Sequence, residues 1–120
     1  MIRTALALVL VMSLGGLAGA AAQDTVYDIG TGVTAPKVVR EVRPDYPADA
    51  KADKVVGRVT LTTVVGADGV PGRIAVEQAL DDRLDRAAIA ALEQWRFEPG
   101  RRAGEAVPVR VTIDFTFTLR

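Results

Sequence analysis

The segment Val107-Pro108-Val109-Arg110-Val111-Thr112-Ile113-Asp114-Phe115-Thr116-Phe117-Thr118-Leu119-Arg120 decides the fold class. Apolar residues occupy every odd position of it, and proline, threonine, aspartate and arginine occupy the even ones. A period of 2 over this length predicts a strand with one face in a core and the other in water. Working backwards, residues 84–95 carry Leu84, Ala88, Ala91, Leu92 and Trp95 at helical spacing, which predicts an amphipathic helix. Asp81, Asp82 and Asp85 stand at its start, where carboxylates cap free N–H groups and meet the positive end of the helix dipole. Ile89 lies off the stripe, so more than a narrow face is covered. Pro99 and Gly100 are expected to end the helix, with Arg96 near its negative end.

Further upstream, Val59, Leu61, Thr63 and Val65 alternate with Arg58, Thr60 and Thr62, and Ile74 and Val76 alternate with Arg73, Ala75 and Glu77. The residues between them, Gly66-Ala67-Asp68-Gly69-Val70-Pro71-Gly72, are turn-formers, so the two runs predict a β-hairpin. Arg43-Pro44-Asp45-Tyr46-Pro47 reads as extended chain leading into a short helix over residues 47–52. The expected class is α+β: a three-stranded antiparallel sheet in the order 2-1-3, with two helices on one face and the last strand at an edge. That order follows because a helical crossover would make the last strand parallel to the one before it, whereas a place beside the first strand keeps every pair antiparallel.

The N-terminus reads differently. Arg3 precedes an uncharged run, residues 5–22, that closes on Ala20-Ala21-Ala22, the layout of a Sec-type signal peptide with cleavage after Ala22. The same run of 18 residues is at the short limit for a membrane anchor. Either reading places the rest of the chain outside the cytoplasm. Residues 23–36 show no sustained period and read as a flexible linker, which leaves 37–120 as the single domain.

Composition narrows the function. Fifteen basic and fifteen acidic residues give a formal net charge of zero, so there is no basic footprint for nucleic acid. Cysteine and histidine are absent, and the one serine, Ser13, lies in the signal. Zinc sites, thiol or serine nucleophiles and imidazole chemistry are thereby excluded. Catalysis would fall to the carboxylates Asp81, Asp82 and Asp85, which capping already explains. Asp68-Gly69 and Gly72 join strands and do not open a phosphate-binding helix. Trp95 and Phe97 read as packing, and Arg101 and Arg102 as a solvated loop or a partner surface. No cofactor, metal or catalytic residue is expected.

A long exposed edge strand is an aggregation liability unless it is blocked or used. Pro108 and the outward charges blunt this one in part and leave the backbone of residues 110–116 able to accept a strand from another chain.

Tyr46-Pro47, Gly57, Asp68-Gly69, Leu84-Asp85 with Ala88, Trp95-Arg96-Phe97-Glu98-Pro99-Gly100, Gly104 and the alternating strand ending at Phe117 together resemble the TonB C-terminal domain. The resemblance covers residues 37–120. It implies a periplasmic module that captures a peptide of an outer-membrane TonB-dependent receptor, or another envelope protein, by adding it to the last strand. The implied contacts are Arg110, Val111, Thr112, Ile113, Asp114, Phe115 and Thr116, with Arg43 from the segment before Tyr46-Pro47. Arg43 stands where the family carries glutamine. The family's proline-rich spacer and histidine-bearing motor helix have no counterpart, so the implied role is binding rather than pulling. The linker would reach roughly 45 Å fully extended. Two alternatives stay open: an envelope assembly protein that homodimerises edge to edge, and a short energy transducer held in the inner membrane by an uncleaved N-terminus.

Overall fold

The computed structural model describes residues 25–30 and 32–119. The signal-peptide or anchor reading of residues 1–22 lies outside them. In chain order the elements are β1 (Tyr27–Asp28), β2 (Lys37–Arg40), α1 (Ala48–Ala52), β3 (Gly57–Val65), β4 (Pro71–Gln78), α2 (Asp82–Glu93), β5 (Arg96–Glu98), β6 (Gly100–Arg102), β7 (Glu105–Val107) and β8 (Val109–Phe117).

The main sheet has the order β1-β8-β3-β4. β3 runs antiparallel to both β4 and β8, while β1 joins β8 in parallel. The expectation of three strands, all antiparallel, is therefore corrected to a mixed sheet of four. The reason lies in the segment read as a linker: Tyr27 and Asp28 pair with Val109 and Arg110, and Val33 bridges to Arg102. Two-residue strands and single bridges are too short to show any period.

Val59, Leu61 and Val65 of β3, Phe115 and Phe117 of β8, and Leu84, Ala88, Ala91 and Leu92 of α2 form one buried cluster with Ala50, Trp95 and Phe97. The aromatic side chains are spaced for edge contacts. Tyr46 meets Phe117 at 5.4 Å between ring centroids and Trp95 meets Phe115 at 5.5 Å, both T-shaped. Such pairs add about 0.5–1.5 kcal/mol each beyond their burial.

Two small sheets surround this core. β2 pairs antiparallel with β5, and β6 with β7. They correct the sequence reading at three places. Helix α2 ends at Glu93, before Pro99-Gly100, because the Trp95 N–H closes a tighter turn onto the Leu92 carbonyl and the chain then turns into β5. Arg96 donates to the Glu93 carbonyl at 3.0 Å, as its place at the negative helix end suggests. Arg101 and Arg102 lie on β6, within a hairpin closed by Ala103 (φ 53°) and Gly104 (φ 81°), and not in a loop. Val107 belongs to that hairpin, opposite Gly100, so the alternating run is split at Pro108 into β7 and β8. Proline lacks the N–H that would carry the ladder through.

The three carboxylates at the start of α2 are occupied structurally. Asp81 is the N-cap and accepts from the Arg83 N–H at 2.9 Å. Its carboxylate also takes the Arg83 guanidinium, which reaches on to Asp53 of the α1 C-cap. Asp85 is buried and accepts from the Leu80 N–H at 2.9 Å, so it folds the β4–α2 connection back onto the helix. Asp82 faces Arg86 one turn on, at 3.5 Å.

The hydrogen bonds from the Arg83 side chain pull the Asp81 carboxyl from 3.8 down to about 2. A carboxyl whose pKa is lower in the folded chain stabilises it above the unfolded value, and that contribution is lost as pH falls from about 4 to about 2. Asp81→Asn keeps a capping oxygen but removes the charge. The variant is expected to melt below the wild type near neutral pH, with the gap narrowing as pH falls through about 2 and closing below it in thermal scans.

Candidate partner-binding edge

β8 is held on one side by β3 in unbroken register, from Gly57 opposite Phe117 to Val65 opposite Val109. Its other side is defined by one hydrogen bond: the Tyr27 N–H donates to the Pro108 carbonyl at 3.0 Å, so that carbonyl faces away from β3. Backbone groups alternate direction along a strand. The N–H and C=O of Arg110, Thr112, Asp114 and Thr116 therefore face the same outer edge, and those of Val111, Ile113 and Phe115 face β3. β1 covers the outer edge only at Val109 and Arg110. Among the described residues no further strand pairs with it beyond that point.

The side chains divide the same way across the two faces. Phe115 is buried, and Val111 and Ile113 are half-buried against the core cluster. Arg110, Thr112, Asp114 and Thr116 are exposed on the opposite face. Asp114 accepts from the Thr60 hydroxyl across the sheet at 2.7 Å, and Arg110 pairs with Asp28 at 3.0 Å. All seven residues expected along the strand thus lie on it in sequence.

The eighth, Arg43, comes from another element. The Trp95 indole N–H donates to the Val42 carbonyl at 2.9 Å, which fixes the chain just ahead of Arg43. Tyr46, just beyond, packs its ring on Phe117 and donates its hydroxyl to the Val55 carbonyl. Between these two anchors the segment lies beside the end of β8. Arg43, Pro44, Tyr46, Thr116, Phe117 and Thr118 line a shared groove of about 450 Å³. Arg43 and Thr116 both line it, while Arg110 lies at the far end of β8. Tyr46, Phe117, Thr118 and the β1 residues Tyr27 and Asp28 extend the site beyond the residues read from the sequence. In the sequence, Tyr46 and Phe117 stand only as family markers without a place at the site, and nothing marks β1.

The sheet's opposite edge is built differently. β4 shifts register against β3 between Thr60 and Leu61 and again between Thr62 and Val64, and Arg73 takes a left-handed φ of 47°. Bulges twist an edge away from straight pairing. The regular row of outward backbone groups is thus on β8.

Residues 42–119 match the family described as Gram-negative bacterial TonB protein C-terminal. The chain belongs to this TonB C-terminal family. It is 39% identical over 75 residues to protein tonB2 of Pseudomonas aeruginosa, a match covering 60% of this chain and 28% of that protein. It is 31% identical over 97 residues to protein TonB of Klebsiella pneumoniae, covering 80% of this chain and 37% of that one. The chain thus spans well under half the length of these TonB relatives. The solution structure of the Pseudomonas aeruginosa TonB CTD is similar with a TM-score of 0.61 and 29% identity, over 78% of this chain and 93% of that one. The TonB match runs from Val42, beside Arg43, through β8, and so spans the whole groove and the free edge.

Proposed function

We propose that the chain is a periplasmic binding module of TonB type, which takes an extended segment of an outer-membrane receptor, or of another envelope protein, as an added strand on the outer edge of β8. The observation that carries this is the outward row of backbone groups at Thr112, Asp114 and Thr116, ending at the groove that Arg43 shares with Thr116. Strand addition draws affinity from main-chain hydrogen bonds and selectivity from side-chain pockets. Here the edge supplies the first and the groove the second, with Arg43 as a cation for an acidic or carbonyl group at one end of the bound segment. The role needs no cofactor and no catalytic group. It belongs with TonB-linked transport, which family membership supports.

A photo-crosslinking residue placed at Thr116 tests the reading in a Gram-negative host that expresses the chain. It is expected to form an adduct with an outer-membrane receptor, and the same residue at Glu77 on β4 is expected to form none. An adduct from position 77 alone would put the partner on the other edge.

A further inference from the structure

The outer edge of β8 is already in use at one end. Tyr27 and Asp28 lie on it in parallel, with the Tyr27 N–H on the Pro108 carbonyl, the Asp28 carboxylate on Arg110 at 3.0 Å, and the Arg102 guanidinium 5.3 Å from the centre of the Tyr27 ring. Arg110 is the first residue of the same outward row that continues through Thr112, Asp114 and Thr116. A strand laid along the whole row would have to pass through the place that β1 fills. We infer that β1 is a built-in occupant of the partner edge, a segment of the chain's own that competes with an incoming strand for the start of β8. The inference rests on the strand-addition reading above.

The way β1 is attached fits a displaceable strand. The chain returns from it through Gly30, which bridges to Val33, and is then anchored to the β6–β7 hairpin. There Thr34 donates its N–H to the Arg101 carbonyl at 2.9 Å and accepts the Arg101 N–H on its hydroxyl at 3.0 Å. The anchor is therefore at Thr34, and β1 hangs ahead of it. A Cβ added at Gly30 or Gly32 would meet nothing within 4 Å, so these two glycines stand clear of the domain. Asp28 and Ile29 are exposed, and the side chains of the Asp28–Arg110 pair are 75% and 50% exposed, where an ion pair contributes little. None of the residues of β1 belongs to the buried cluster.

The occupant also shows what the edge selects. A displacing strand that carries a carboxylate opposite Arg110 replaces the Asp28 pair, and a planar ring one residue earlier replaces Tyr27 under Arg102. A strand with a basic residue opposite Arg110 meets like charge instead. A tether this short keeps the occupant at millimolar effective concentration, so even weak pairing lowers the apparent affinity of a competitor.

The test uses the full chain labelled for NMR and, as probe, the free peptide Asp24-Thr25-Val26-Tyr27-Asp28-Ile29 taken from its own sequence. Tyr27→Pro removes the N–H that binds Pro108, and Asp28→Arg sets like charge against Arg110. Both changes lie outside the core, so two independent variants open the edge. The peptide is expected to bind both roughly 3–10-fold more tightly than it binds the wild type, with shifts at the amides of Arg110 and Thr112. Equal affinity for all three proteins, with shifts on β8, would overturn self-competition and leave strand addition standing. Shifts elsewhere, or none, in both opened variants would also overturn it, and the crosslink at Thr116 would then judge strand addition separately.

Discussion

Gly69→Ala is expected to cost the domain about 3–5 kcal/mol and to lower its melting temperature by roughly 15 °C or more. Gly69 sits at φ 81°, which alone costs an alanine about 1–2 kcal/mol. The larger part is steric. A Cβ there would stand 2.0 Å from the Phe97 carbonyl oxygen, which belongs to backbone and cannot swing aside. The Phe97 N–H donates to the Gly69 carbonyl at 2.9 Å, so relief of the clash would sacrifice this bond and pull β5 from the β3–β4 turn. Gly104 separates the two contributions: it has the same φ of 81°, but an added Cβ would meet nothing within 4 Å. Gly104→Ala is expected to cost only about 1–2 kcal/mol. Thermal or urea unfolding of the two variants beside the wild type makes the comparison.

Thr112→Pro has the opposite signature, a loss of binding without a loss of fold. The Thr112 N–H faces the outer edge, so proline there removes no hydrogen bond to β3, and edge strands tolerate proline for this reason. What it removes is a donor at the start of the free row, and its ring stands where a partner backbone would approach. Losing one such bond with its acceptor left buried is worth about 2 kcal/mol, so partner affinity is expected to fall at least about thirty-fold. Ile113→Pro, one residue on, would instead delete a bond to β3 and is expected to cost about 1–3 kcal/mol of stability. Retention of receptors from an envelope extract, measured with melting curves for both variants, separates the two. Unchanged retention by a folded Thr112→Pro protein would move the partner off this edge.

The contrast between residues 112 and 113 was half legible in the sequence. Alternation identified β8 and its wet and buried faces, because a side-chain period of 2 held from Val109 to Phe117 suits a pleated strand and would scatter the apolar residues around a helix. It did not say which backbone groups point outward, since that depends on the register with β3 and on the bond from Tyr27. Helix α2 was legible from Leu84 to Leu92 through its own period of 3.6, and its end was not. The stop comes with the tighter turn from the Trp95 N–H to the Leu92 carbonyl and the start of β5, and the Trp95 indole then bonds Val42, 53 residues away in sequence.

Asp68-Gly69 announced a turn, but not that the turn would bear on Phe97. β2, β5, β6 and β7 are three or four residues long and are defined by partners rather than by pattern. For the site, Arg110 to Thr116 were readable as a strand edge. Arg43 entered only through the family resemblance, and the groove joining it to Thr116 exists because two anchors, Val42 to Trp95 and Tyr46 to Phe117, hold that segment in place.

The most direct measurement is amide hydrogen exchange along β8, with and without a bound receptor segment. The amides of Thr112, Asp114 and Thr116 are expected to slow on binding, while those of Val111, Ile113 and Phe115, already turned to β3, stay as they were. Protection appearing on β4 or α2, with those three amides exchanging at their unbound rates, would contradict strand addition at this edge.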